Sequence, residues 1–155
     1  MNLHPPDKDD RYIIFALIFL LSNRLQTIGD SFFKEVSTKQ WFVLLVLDMM
    51  KDYPPTLNEL SEAVGSSHQN VKQLVLKLEH KGYVELCKDE EDARRLRIIP
   101  TPKSAEFSNA YHEKSNLFIQ QLFSSSNETE LSVTKKVMSE LGDALARMKF
   151  DYVKE

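Results

Sequence analysis

The stretch Thr56-Leu57-Asn58-Glu59 constrains this chain more than any other. A hydroxyl followed three residues on by a carboxylate is a capping box, which fixes where a helix begins. A short helix follows, with Leu57, Leu60 and Val64 inward, and Gly65 marks its C-terminal turn. Ser66 and Gln69 repeat the spacing and open a further helix. There Val71, Leu74, Val75 and Leu78 fall at i, i+3, i+4 and i+7, the pattern of one buried face. Lys81–Gly82 closes it. Upstream, Ser37 or Thr38 can cap another helix. Trp41 to Leu47 is apolar all round, which predicts burial in the core, and Pro54–Pro55 ends that section.

After Gly82 the period changes from 3.6 to 2. Tyr83 to Lys88 alternates, with Val84 and Leu86 on one face and Tyr83, Glu85 and Cys87 on the other. Leu96 to Ile99 is a second short strand, joined to the first by the charged loop Asp89-Glu90-Glu91-Asp92-Ala93-Arg94-Arg95. Long helices flank this centre. Arg11 to Phe33 has a wide apolar surface suited to more than one partner helix. Pro102 to about Phe123 carries Phe107, Tyr111, Phe118 and Leu122 along one side. Beyond Ser124-Ser125-Ser126-Asn127, the residues Leu131, Met138, Leu141, Leu145, Met148 and Tyr152 form a seam that suits another helix. The predicted class is mainly α with a small β-hairpin (α+β). From about 38 to 101 the order is that of a winged helix-turn-helix.

In that module the second helix of the pair enters a major groove, its N-terminal residues near base edges, and the hairpin can reach a neighbouring minor groove. With the Val71–Leu78 face inward, Gln69, Lys72, Gln73, Leu76 and His80 face away, flanked by Asn70 and Lys77. Gln and Asn can pair bidentately with adenine, and Lys can contact guanine or phosphate. Ser66, Ser67 and the first backbone N–H groups suit a phosphate at the helix start. Net charge is only −3, so a basic surface has to be local. From Gly65 to Lys103 there are eight Lys+Arg against six Asp+Glu, while the rest of the chain is acidic.

Thr56-Leu57-x-Glu59-Leu60, Val64-Gly65-Ser66-Ser67-His68-Gln69-Asn70-Val71, Leu78-Glu79-x-Lys81-Gly82-Tyr83-Val84-Glu85 and Asp89-Glu90-Glu91-Asp92-Ala93-Arg94-Arg95 together resemble the MarR family of bacterial transcription regulators. The resemblance is strongest over about 56 to 101. It implies a homodimer on a pseudo-palindromic site in double-stranded DNA. Residues 1–37 and 102–155 would form the helical dimerisation region, and 38–101 the DNA-binding domain. Ser66, Ser67, His68, Gln69, Asn70, Lys72, Gln73 and Lys77 would line the DNA on the recognition helix. Arg94, by the Asp-x-Arg match, would be the wing-tip residue in a minor groove, with Arg95 beside it and Asp92 orienting the wing through an Arg pair. The family also implies a small-molecule effector pocket between the dimer helices and the winged module, for which Phe32, Phe33, Trp41, Phe42 and Tyr111 are the aromatic candidates. Repression is the expected mode. This chain departs from the pattern at His68, where Arg is common, at Leu86 and Cys87, where basic residues are common, and in Pro100-Thr101-Pro102-Lys103-Ser104. Those departures keep one alternative open, a winged protein-interaction module without DNA binding.

Other chemistry is poorly supplied. No hydrolase elbow, phosphate loop or dinucleotide glycine pattern is present, so no enzyme and no cofactor is expected. The histidines 4, 68, 80 and 112 have no metal-ligand spacing, and no metal is expected. The acidic run at 89–92 reads as a solvated wing loop. The single cysteine, Cys87, reads as a partly buried strand residue and points to a reducing, cytoplasmic setting. The longest apolar run, Ile13 to Leu21, is nine residues and reads as a core or interface segment without a membrane role.

Overall fold

A computed structural model describes residues 9–89, 92 and 94–148. Met1–Lys8, Glu90, Glu91, Ala93 and the C-terminal residues with Tyr152 lie outside the described set. The chain forms two compact units, Met1–Ser108 and Asn109–Glu155. The elements are α1 (Asp10–Phe32), α2 (Thr38–Met49), α3 (Leu57–Val64), α4 (His68–His80), β1 (Val84–Lys88), β2 (Leu96–Pro100), α5 (Pro102–Leu122) and α6 (Glu128–Met148). The winged helix-turn-helix order expected from the sequence is the order found.

In the first unit α1 begins at an Asp9 cap whose carboxylate accepts the Arg11 N–H at 2.9 Å. Its C-terminal end meets the start of α2 at Gly29. A Cβ built there would lie 2.8 Å from Thr38 Cγ2, so only glycine permits this approach. Thr38 uses the closeness: its hydroxyl donates to the Gln26 carbonyl at 3.1 Å and to Asp30 at 2.8 Å, and its N–H donates to Asp30 at 2.7 Å. Ser37 caps α2 in a full capping box with Gln40.

Helix α2 packs against α1, α3, α4 and β2. Val43, Leu44, Val46 and Leu47 are buried, but Phe42, Leu45 and Met49 are exposed. The all-round apolar sequence therefore does not mean all-round burial: one side of α2 is core and the other is an open apolar stripe. The predicted Thr56–Glu59 box is present at the start of α3. Gly65 adopts φ 66°, and the Gly65 and Ser66 N–H groups close the helix on the carbonyls of Glu62 and Ser61, both at 3.1 Å. That closure engages the Ser66 N–H, so α4 is capped one residue later than predicted. Ser67, not Ser66, accepts the N–H of Asn70 at 3.3 Å.

The hairpin is antiparallel, with Val84 opposite Pro100, Leu86 opposite Ile98 and Lys88 opposite Leu96. Tyr83 precedes β1 and does not follow its alternation. Instead of sharing an outward face with Glu85, it is buried, stacked edge-on against Phe107 at 5.5 Å and donating its hydroxyl to Glu35 at 2.5 Å. Val43, Leu47, Leu60, Val71, Leu78 and Ile98 are fully buried.

The first turns of α5 belong to this unit, and its Phe107 packs on Phe33 and Tyr83. In the second unit α6 starts at a reciprocal cap, Asn127 N–H to Glu130 at 2.9 Å and Glu130 N–H to Asn127 at 3.0 Å. Its seam residues Leu131, Met138, Leu141, Leu145 and Met148 are exposed in the single chain. So are Tyr12, Phe15, Phe19, Leu21, Leu25 and Ile28 of α1. The nine-residue apolar run understates α1. Over 18 residues its mean hydropathy reaches 1.4, long and apolar enough by length and composition to cross a membrane.

The Gly29–Thr38 contact carries a direct prediction. Gly29→Ala should destabilise the fold by about 1–3 kcal/mol, the usual cost of overpacking, and thermal melting would read it. Adding Thr38→Ala removes the obstructing atoms and should recover part of the loss relative to Thr38→Ala alone. No recovery would mean that the steric account is wrong.

Candidate nucleic-acid interface

The outward side of α4 is polar because its inward side is not. Val71, Val75 and Leu78 are buried and Leu74 is half-buried. That leaves His68, Gln69, Asn70, Lys72, Gln73, Leu76, Lys77 and His80 exposed, as the helical wheel predicts. The helix presents its N-terminal end beyond the Gly65 turn, so Gln69, Asn70, Lys72 and Gln73 lie within its first turns. Ser66 stands outside α4 with its N–H engaged by α3, and Ser67 holds the Asn70 N–H. Lys77 stands apart from this group. It lines a cavity of about 420 Å³ with Asp30, Phe33, Lys34, Glu35, Gln40, Leu74 and Lys81.

The wing is more highly built than its sequence suggests. Arg94 is 91% exposed, and its N–H and Nε both donate to Asp92, at 3.1 and 3.0 Å. Arg95 lies 3.5 Å from the other Asp92 oxygen. The Asp92 carboxyl is held below its ordinary value, first by the Arg94 side chain and then by the Arg94 N–H. An Asp–Arg pair does therefore sit at the wing turn, as the Asp-x-Arg pattern implied.

Asp89 departs from the solvated loop expected of it. Its side chain is 7% exposed and pairs with Arg97 Nε, while its other oxygen accepts the Asp92 N–H at 2.9 Å. Arg97 Nη1 donates to Glu59 at 3.2 Å and to the Pro54 carbonyl at 3.0 Å, and its guanidinium lies 4.5 Å from the Tyr53 ring centroid. The Asp89 carboxylate is the main reason the Arg97 pKa is raised. Sequence reasoning missed Arg97 altogether. The available signal was a lone cation in a strand otherwise composed of Leu96, Ile98, Ile99 and Pro100.

The wing base is thinly charged: Leu86 and Cys87 are half-buried and face the second strand. The aromatic effector candidates separate. Phe33 is buried, stacks on Trp41 at 5.1 Å and meets Phe32 edge-on at 5.0 Å. Phe42 is exposed, and Tyr111 belongs to the second unit. Of the five, only Phe33 lines the cavity named above. Among the described residues no group of three or more His, Cys, Asp or Glu is placed to hold a metal ion.

Residues 35–95 match a family model described as MarR family. The transcriptional repressor MprA of Escherichia coli (strain K12) is 27% identical over 134 residues, covering 86% of this chain and 74% of that protein. A MarR protein from Peptoclostridium difficile DA00132 superposes with a TM-score of 0.80 at 23% identity, covering 97% of each chain. MepR of S. aureus, solved in complex with DNA, superposes with a TM-score of 0.75 at 21% identity, covering 84% of this chain and 96% of MepR.

The carboxylates of the wing and the α3 cap give the fold an acid limit. Glu59 is held below its ordinary value of 4.5, chiefly by the Thr56 N–H and hydroxyl, with a smaller contribution from Arg97. Asp92 is held below 3.8. Both favour the ionised form in the fold, so their stabilisation is complete above the ordinary values and is lost as pH falls through the lowered ones. The melting temperature of the wild type should fall more steeply below about pH 4.5 than that of Glu59→Gln. Equal slopes would remove Glu59 from this account.

Proposed function

We propose that the chain is a cytoplasmic transcription regulator of the MarR family, whose model its residues 35–95 match, that it is not an enzyme, and that it binds double-stranded DNA as a homodimer. One observation carries the reading: an exposed polar helix face, capped at Ser67, stands in the same module as a wing whose turn presents Arg94. Gln69, Asn70, Lys72 and Gln73 are the base and phosphate contacts of the major groove, with His68, Ser66 and Ser67 at the helix start. Arg94, with Arg95, reaches the minor groove, where a narrow groove attracts a guanidinium by its negative potential. Asp92 fixes the direction of that reach. Lys77 contributes at the margin. Leu76 is the one exposed apolar residue on the face, suited to a thymine methyl group.

Exposed apolar surface supports the dimer. The seam of α6 and the aromatic and aliphatic residues of α1 are exposed in the single chain, and large exposed apolar patches mark interaction sites. Residues 1–37 and 102–155 form the dimerisation region on this reading. Two recognition helices then read successive major grooves about one helical turn apart. Repression fits the name of the MprA relative, a transcriptional repressor. An effector seated in the cavity at Phe33, Lys34, Lys77 and Lys81 would shift the population between DNA-competent and incompetent spacings.

A mobility-shift titration on the DNA upstream of its own reading frame, or on duplexes selected from a random pool, tests the reading. Binding should weaken with salt. Lys72→Ala should reduce the log–log salt slope by about one, and Arg94→Ala should weaken specific binding. Failure to bind any selected duplex would favour the protein-interaction module instead. For the dimer, sedimentation of the Leu141→Glu/Leu145→Glu variant should show a helical monomer. A dimer of unchanged strength would exclude the α6 seam.

A further inference from the structure

We infer that Arg97 is a positioning residue for DNA recognition: it fixes where Arg94 stands relative to α4 by tying the wing turn to the start of α3. The inference rests on the DNA-binding reading above and adds to it a residue that never touches DNA.

The tie is continuous. The Thr56 N–H and hydroxyl hold the Glu59 carboxylate at 2.6 and 2.8 Å. Glu59 accepts Arg97 Nη1 at 3.2 Å, and the same nitrogen donates to the Pro54 carbonyl at 3.0 Å. Arg97 Nε donates to Asp89. Asp89 accepts the Asp92 N–H at 2.9 Å, and Asp92 accepts both Arg94 donors. Each link is a hydrogen bond, and five of the residues, Glu59, Arg97, Asp89, Asp92 and Arg94, carry charge. The path runs from a helix cap to the most exposed cation of the wing.

The backbone supports the same connection. Thr56 bridges Arg97 in an antiparallel sense, and the Ile98 N–H donates to the Pro55 carbonyl at 2.9 Å. The foot of the hairpin is thus seated by main-chain bonds and by the buried Ile98 and Val84. Among the described residues of its turn, the main-chain bonds run within the turn itself, from the Asp89 N–H to the Arg95 carbonyl at 3.0 Å and from the Arg95 N–H to the Asp92 carbonyl at 2.8 Å. Beyond Lys88 and before Leu96, the described hydrogen bonds that tie the turn to the helical part pass through Asp89 and Arg97, with Arg95 adding a charge contribution at Glu59. Removing Arg97 should leave the hairpin formed and free its tip.

The geometry also requires arginine. The guanidinium meets Asp89, Glu59 and the Pro54 carbonyl in different directions from one rigid plane, and it lies against Tyr53. A lysine ammonium is a single centre and cannot reach all three acceptors.

The test uses the full chain and a duplex that the wild type recovers from a random-sequence pool. Affinity is read by fluorescence anisotropy for the wild type, Arg94→Ala, Arg97→Gln, Arg97→Lys and the double variant Arg94→Ala/Arg97→Gln. Arg97→Gln should lose about tenfold in affinity, and the double variant should lose no more than Arg94→Ala alone. Arg97→Lys should fail to restore binding. Hydrogen exchange should quicken at the Asp92 and Arg95 amides and stay unchanged in α4. Should Arg97→Gln not fold, Asp89→Asn cuts the same path from its other side and should show the same non-additivity with Arg94→Ala. Multiplying losses in the double variant, or wild-type affinity in Arg97→Lys, would overturn the inference while leaving the DNA reading intact. A wild type that recovers no duplex would overturn both.

Discussion

The winged module depends on one junction, the N-terminus of α3. Thr56 has three roles within two bonds of its own backbone. It caps α3 through its hydroxyl, holds the Glu59 carboxylate, and bridges Arg97 of the second wing strand. A helix start has four N–H groups without intrahelical partners, and a capping box settles part of that need with side chains. Here the Glu59 oxygen that accepts the Thr56 N–H and hydroxyl also accepts Arg97 Nη1. The helical half of the module and its hairpin are therefore joined at a point of high polarity, above a core in which Leu60, Val71 and Ile98 are fully buried.

Charge in the wing has to be read in this light. Asp89-Glu90-Glu91-Asp92 has the formal charge of a repulsive loop facing a phosphate backbone. Two of the four carboxylates are not free to act that way. Asp89 is buried against Arg97, and Asp92 is shared by Arg94 and Arg95. The pairing lets an acidic turn carry an exposed cation. It also lets a weakly acidic chain present a locally cationic turn.

Local signals were legible in the sequence and non-local ones were not. The Thr56 box, the Gly65 turn and the Val71–Leu78 spacing depend on neighbours within one helical turn, and each stands where the sequence puts it. The Ser66 cap failed for a definable reason. Ser66–Gln69 and Ser67–Asn70 are overlapping candidates of equal chemistry, and the closure of α3 decides between them. Tyr83 was assigned by strand alternation although β1 begins one residue later. The apolar run of α2 could not separate core from open surface, because composition is blind to which side meets α3 and α4. Of the interface residues, the outward positions of α4 and the Asp92–Arg94 pair were readable. The Asp89–Arg97 pair was not: its members lie eight residues apart on opposite arms of the hairpin, and an acid among acids looks solvated.

The contact between Gly29 and Thr38 sets a mechanical relation. It lies near the C-terminal end of α1, with no side chain on the α1 side to cushion it. The opposite end of the helix, at Asp10, is about 28 Å away at 1.5 Å per residue. α1 is then a lever with a short arm at α2 and a long arm at its N-terminal end. A tilt of about 5° at the fulcrum displaces that end by about 2.5 Å on the same helix geometry. In the reverse direction, whatever clamps the long arm holds the angle at the short one closely, since a large shift there makes only a small rotation, and the first residue to feel it is the one that begins α2.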